Sequence, residues 1–279
     1  MGSVDQEPIS LTIKERFPRL EEIPEGIYPN GGYPNHVLII PDRNRTFAKK
    51  FAQASIFGHR KGAEALEQGL LDLWELEIPN ISIWGASEKN IDERDKHEMK
   101  ELFQLEESMV TRNLLNLQKY GIRFIRVGRK DRLPASLLTT IQSAEKLTEN
   151  NSEKTLRLLL DYGETYRQRE YDKKLAQAII DLALPPRTIA TDDLIKSLNI
   201  PDIMPPVDCA IRTVGPKEDE DIDFFWTSEI GRITDKAYWF LIYKYFPEAT
   251  TEDFVNAIIS YYKIDKRKGG DSKRSTKNV

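Results

Sequence analysis

The chain has 279 residues, 39% hydrophobic and 31% charged, with a net charge of −4. This is the make-up of an ordered globular protein of one large α/β domain or two small ones, not of a disordered chain or a general nucleic-acid binder. The single cysteine, Cys209, excludes an internal disulfide and a cysteine zinc cluster; it sits in an apolar run and reads as a small core residue.

Residues 1–35 are rich in Pro, Gly and Glu with little periodicity, which predicts an N-terminal extension lying on the surface or partly disordered. No signal pattern opens the chain and no apolar run approaches ~18 residues, so a cytoplasmic protein without membrane spans is expected. Short apolar runs of β type follow at 37–40, 81–84, 122–127, 156–160 and 209–211. Between them lie helical patterns. One starts near Phe57 and carries Leu66, Leu70, Leu73 and Trp74; another carries Met99, Leu102, Phe103, Met109, Leu114 and Leu117, and Gly121 stops it. Strands without strict alternation, separated by helices, predict a mainly parallel sheet covered on both faces. Ligands of such sheets bind beyond the carboxyl ends of the strands, and Asp42, Ser87, Gly128, Asp161 and Arg212 all fall there. The acidic run 217–223 reads as a solvated loop and the basic stretch 263–277 as a frayed end.

The residues with chemistry each carry two readings. Asp42 ends the first strand and is followed by Arg43, Asn44 and Arg45. It is either a surface turn with paired charges or a carboxylate for Mg²⁺ beside cations and amides for a diphosphate. No G-x-x-x-x-G-K-[ST] or G-x-G-x-x-G loop is present, which disfavours the familiar nucleotide sites. His59, in Gly58-His59-Arg60-Lys61-Gly62, suits an anion site or a structural role. The histidines His36, His59 and His97 lack zinc spacing, and no G-x-S-x-G elbow is present. Ser87 and Asn90 offer either helix caps or neutral hydrogen bonds to a ligand. Arg212, in Asp208-Cys209-Ala210-Ile211-Arg212-Thr213-Val214-Gly215, is an exposed strand-end charge or a phosphate grip.

Taken in order, these pieces resemble the cis-prenyltransferase family, best known from the undecaprenyl diphosphate synthases. The family's opening H-x-x-x-I-x-D-G-N-x-R-[WF]-A is met by His36, Asp42, Asn44, Phe47 and Ala48, and its G-H-x-x-G by Gly58, His59 and Gly62. Ser87-Glu88-Lys89-Asn90, Val127-Gly128 to Arg132-Leu133-Pro134, Leu160-Asp161-Tyr162-Gly163, Asp208 to Gly215 and Arg267-Lys268-Gly269-Gly270 follow in the family's order. The resemblance implies a single α/β domain at 36–270 with a mainly parallel central sheet, flanking helices and a hydrophobic tunnel, then a polar basic tail at 271–279. It implies Mg²⁺-assisted condensation of an allylic prenyl diphosphate with isopentenyl diphosphate to a cis-prenyl diphosphate. It also implies a homodimer or a heteromer with a related chain, peripheral membrane contact through greasy products, and no nucleic acid.

By the same resemblance Asp42 handles metal and diphosphate. Asn44, His59, Phe47 and the loop Arg43, Arg45 and Thr46 lie at the donor diphosphate, and Ser87 and Asn90 border the reacting carbons. Arg212 holds the acceptor diphosphate. Reading 216–228 as an insertion gives the family's later Arg and Ser to Arg232 and Thr234, ahead of Trp239, and the closing motif adds Arg267 and Gly269. The chain departs from the pattern at Arg43 and Arg45, where the family has small residues, at Thr46, Ser55 and Glu93-Arg94, and at Tyr245, where a second metal carboxylate is expected. Asp221 or Asp223 is a candidate replacement. Two alternatives to the elongating enzyme follow: a catalytically weak subunit supporting a partner, or a coupling enzyme with a non-isopentenyl acceptor.

Overall fold

Strand β1, His36–Ile40, is buried along its whole length. Its side chains alternate between two apolar clusters, Val37 and Ile39 in one and Leu38 and Ile40 in the other. A run of four such residues is stable only with both sheet faces covered, and that is how a parallel strand is buried. A computed structural model describes residues 11–23, 33–182, 204–218 and 233–264. Among them six strands form one sheet in the order β3-β4-β2-β1-β5-β6. The others are β2 Asn80–Ser87, β3 Ile122–Val127, β4 Lys154–Tyr162, β5 Cys209–Thr213 and β6 Tyr238–Ile242, and every pairing is parallel.

The helices are α1 Ile13–Arg16, α2 Asn44–Lys50, α3 Ser55–Glu75, α4 Glu88–Glu93, α5 Lys96–Lys119, α6 Ala135–Leu147, α7 Glu164–Leu182 and α8 Thr251–Lys263. Asp95 caps α5 by accepting from His97 and Glu98, and Gly121, at φ 62°, follows its C-terminal Tyr120. That left-handed conformation is the one that ends helices on glycine. The five predicted strand runs and two helices fall inside observed elements. β6 is an addition: its Trp239 belongs to a strand.

Residues 11–23 differ from the surface extension expected of 1–35. Ile13, Leu20 and Ile23 are buried in the main core. Arg16 pairs at 2.6 Å with Asp72, a carboxylate 1% exposed, and Thr251 of α8 bonds the same group. A buried carboxylate demands such partners, so the segment is fastened to α3.

Candidate active site

The chain leaves β1 for β2 on one side and reaches β5 on the other, so the sheet reverses direction at β1. Crevices at such points, beyond the carboxyl ends, are where open α/β sheets bind ligands. Register pairs Ile40 with Arg212, which sets Arg212 beside Asp42 across 170 residues of chain. Arg212 donates from Nε at 2.7 Å and approaches with Nη2 at 2.6 Å, both at Asp42 Oδ2. Thr213 Oγ1 donates to the Asp42 backbone oxygen at 2.9 Å.

Around this pair the chain is tightly arranged. Arg43 has φ 71° and ψ 18°, the left-handed region where glycine is the default. Asn44 is buried, donates to the Pro41 oxygen at 2.7 Å, and presses its Oδ1 against Gly62, where an added Cβ would lie 2.2 Å away. His59 Nε2 stands 3.6 Å from Glu98 Oε1, and Arg45 reaches Glu98 at 3.9 Å. Burial, then the charges of Arg94 and Arg45, lower the His59 pKa to about 4, so the imidazole is neutral near pH 7. Burial and Arg45 also lower the Arg94 pKa.

Asn44 Oδ1, His59 Nε2, Arg94 Nε and Glu98 Oε1 are all buried without a hydrogen-bond partner among the described residues. Such atoms are rare in folded proteins and call for an explanation. Asn44, His59 and Arg94 line one mouth with Glu98 just behind them, and there Arg43, Arg45, Lys89, Arg94 and Arg212 outnumber Asp42, Glu93 and Glu98. The donors His59 Nε2 and Arg94 Nε, with the excess of cations, favour an anion with several oxygen acceptors, whereas Asn44 Oδ1 and Glu98 Oε1 call for a donor.

Ser87 caps α4: its hydroxyl accepts from the Asn90 amide at 3.0 Å, and the Ser87 amide donates to Asn90 Oδ1 at 3.3 Å. Capping and lining are combined, since both residues also border the cavity. The two Gly-containing motifs after β3 and β4 hold this helix in place. Arg132 forks onto the fully buried Asp161 and reaches Asp92 of α4, while Gly163 leaves room for Glu88, 1.8 Å from where a Cβ would stand. Glu88 has a raised pKa, from burial first and the Asp161 charge second.

Mouth and interior together form one cavity of about 520 Å³, whose inner part runs between α3, α5 and the sheet. Leu66, Leu70, Leu102, Met109, Leu117 and Leu158 line it. One titratable side chain stands among them, Glu106, whose pKa burial raises to about 7.

Asp42, Arg43, Asn44, Arg45, Thr46, His59, Ser87, Asn90 and Arg212 thus border one cavity. Phe47 does not: its ring packs with Phe51, Phe57 and Tyr245. Thr234 lies at the opposite end of the sheet. Its neighbour Ile233 accepts from Val207, before β5, and Thr234 accepts from Ala237, before β6. In a parallel sheet that is the amino end, so Thr234 is remote from Arg212. Arg232, Arg267, Gly269, Asp221 and Asp223 lie outside the described residues. Tyr245 is buried in the aromatic wall. Sequence reasoning gave no role to Glu98 or Glu106 and read Arg94 only as a departure from the pattern. The eight-residue spacing of the two acids puts both near one helix face, close to Leu102 and Met109, and was the available signal.

A cation-rich mouth opening into an apolar cavity at the carboxyl ends of a parallel sheet is the arrangement of this α/β protein, and it suits a ligand with an anionic head and a greasy tail. Residues 40–269 match the family model described as "Putative undecaprenyl diphosphate synthase". The tritrans,polycis-undecaprenyl-diphosphate synthase (geranylgeranyl-diphosphate specific) of Thermococcus kodakarensis is 29% identical over 242 residues, 86% of this chain and 88% of that protein. The isoprenyl transferase of Thermotoga maritima is 31% identical over 238 residues, 85% of this chain and 97% of that protein. The crystal structure of lavandulyl diphosphate synthase from Lavandula x intermedia, in complex with dimethylallyl diphosphate, matches with a TM-score of 0.70 at 26% identity, over 84% of this chain and 97% of that one. The chain belongs to the undecaprenyl diphosphate synthase family of cis-prenyltransferases. Its enzyme class is that of a prenyl transferase acting on prenyl diphosphates.

Proposed function

We propose that the protein condenses an allylic prenyl diphosphate with isopentenyl diphosphate, with both diphosphates at the mouth and the growing chain in the tunnel. The observation that carries this is the Asp42–Arg212 pair at the entrance of the apolar cavity. In the condensation the allylic carbon–oxygen bond breaks and diphosphate departs. The isopentenyl double bond forms the new carbon–carbon bond, and a proton leaves the acceptor to restore a double bond.

The departing diphosphate develops charge, and fixed donors that need not reorganise stabilise it best. His59, Arg94, Arg43 and Arg45 are the donors for that role, together with the loop amides through Thr46, while Asn44 fixes the loop by donating to the Pro41 oxygen. Ser87 and Asn90 position the reacting carbons, and Arg212 holds the acceptor diphosphate. An apolar wall excludes water from the allylic centre, which water would otherwise trap.

Asp42 suits Mg²⁺ in one specific way. Arg212 occupies Oδ2 and leaves Oδ1, and no cluster of three potential ligand side chains occurs among the described residues. Mg²⁺ keeps several waters and binds through one or two carboxylates plus substrate phosphates. Asp42 therefore holds an ion that arrives with diphosphate, where it would neutralise the leaving group. This single carboxylate also favours a second reading, a weak subunit that depends on a related chain. No helix among the described residues is long and apolar enough to cross a membrane; a cytoplasmic homodimer or heteromer, touching membranes only peripherally, is the setting proposed.

The test is turnover of dimethylallyl, geranyl, farnesyl and geranylgeranyl diphosphates with isopentenyl diphosphate and Mg²⁺, followed by mass spectrometry. Turnover by the wild type that disappears in Asp42→Ala supports the enzyme. Turnover only after addition of a related chain supports the subunit, and no turnover in either setting rejects both.

A further inference from the structure

Glu106 is the anomaly of the tunnel. It borders the cavity from α5, and its Oε1 lies against Gly85 of β2, 2.9 Å from where a Cβ at that residue would stand. Leu158 is the other side chain against Gly85. Glu106 makes no hydrogen bond or ion pair among the described residues. Burial alone raises its pKa, with no neighbouring charge contributing. Another polar residue deeper on the same helix, Asn113, behaves in the ordinary way, donating to Glu67 at 2.8 Å and to the Met109 oxygen at 2.9 Å. Glu106 is half-buried, its carboxyl facing the open cavity where water can reach it. Glu106 is satisfied only by what enters the tunnel, and an all-hydrocarbon chain offers it nothing.

Its depth can be read from the helix. Glu98 stands at the mouth beside His59. Glu106 is eight residues further along α5, about 12 Å at 1.5 Å per residue. Measured along β2 instead, Gly85 lies two residues, about 7 Å, before Ser87; an extended prenyl chain advances about 5 Å per isoprene unit, so its end meets Glu106 within about one to three units. Apolar lining continues beyond, through Met109, Val110 and Leu117. The cavity therefore has room for a longer chain, but passage requires stripping a carboxyl of water.

We propose that Glu106 is a specificity-determining residue that divides the tunnel and biases the enzyme toward short products, of about two to four isoprene units. This rests on the prenyl-transfer reading above and deepens it by naming the substrate and product class. The reason is differential solvation: water in the tunnel serves the carboxyl until a chain of the critical length displaces it. Each elongation up to Glu106 buries hydrocarbon against hydrocarbon, and the next one does not.

The experiment compares products of wild type, Glu106→Leu and Glu106→Gln made from dimethylallyl and isopentenyl diphosphates, with melting curves as a check on folding. The expected result is that Glu106→Leu lengthens the main product by one or more isoprene units, while Glu106→Gln, similar in size and still polar, keeps the wild-type length. Identical lengths in wild type and Glu106→Leu overturn the proposal, as does equal lengthening by both variants. If the wild type shows no turnover, alone or with a related chain, prenyl transfer fails as the function and the role of Glu106 is read by binding. Titration with farnesyl and dimethylallyl diphosphates then decides. A tenfold gain for the farnesyl compound in Glu106→Leu, 1.4 kcal/mol, with the dimethylallyl affinity unchanged, upholds it, and an unchanged ratio of the two affinities overturns it.

Discussion

Removing the Asp42 carboxylate tests the pair on which the site is built. Arg212 is the more buried partner, its side chain 13% exposed against 41% for Asp42. In Asp42→Ala its guanidinium stays in the mouth near other arginines without its counter-charge. Breaking a fully buried pair costs about 3–5 kcal/mol, and an exposed one about 0–1 kcal/mol. A pair with one partner inside and one at the rim should cost about 2 kcal/mol, which for a chain of this size lowers the melting temperature by about 4–8 °C. Scanning calorimetry of both proteins reads this directly. Pyrophosphate supplies the next step, since it can neutralise Arg212 in place of the lost carboxylate. At about a hundred times its dissociation constant it returns about 2.7 kcal/mol, enough to recover the loss, while prenyl transfer stays abolished. A variant that melts within 1 °C of the wild type would refute the reasoning, because Arg212 would then not need Asp42.

The remaining predictions concern pH and backbone. His36 and His59 are both lowered from 6.5 to about 4, mainly by burial. The unfolded chain therefore takes up their protons first, and the stability that they contribute is full above pH 6.5 and lost as pH falls through 4. Urea unfolding at pH 7 and 4.5 should show a loss of about 2.4 kcal/mol per histidine, reduced by a similar amount in His59→Gln. Glu106 works in the opposite sense, because its folded pKa is raised from 4.5 to about 7. Stability is lost as pH rises through 7, so Glu106→Leu should be the more stable protein at pH 8.5, by less than the ~3 kcal/mol of a dry carboxyl, because tunnel water reaches Glu106; a Glu106→Leu protein less stable than wild type at pH 8.5 would contradict this. Gly62→Ala drives a methyl into Asn44 Oδ1 and should cost about 1–3 kcal/mol and weaken pyrophosphate binding in calorimetric titration. Arg43→Gly relieves a left-handed arginine, worth about 1–2 kcal/mol, against about 0.5–1 kcal/mol for the added chain entropy. Its stability should stay within about 1 kcal/mol of wild type while pyrophosphate affinity falls, and unchanged affinity would remove Arg43 from the site.

Local order determined much of this protein. A buried run such as His36–Ile40 is extended and covered on both faces because its apolar residues do not alternate with polar ones. The apolar stripes of α3 and α5 fix two helices by their period, and Asp42 follows a strand end whatever the rest of the chain does. Those signals rest on neighbours in sequence. The Asp42–Arg212 contact, the fastening of residues 11–23 by Arg16 to Asp72, and the distance of Thr234 from the cavity were decided by the order of strands in the sheet. Whether Glu106 faces solvent or the tunnel was decided the same way, by α5 packing over Gly85. An acid on an amphipathic helix reads as surface by default, since the cost of burying a charge is counted locally. Only the folded chain shows the apolar neighbours among which its carboxyl stands, and that setting is a property of the assembled cavity rather than of any stretch of sequence.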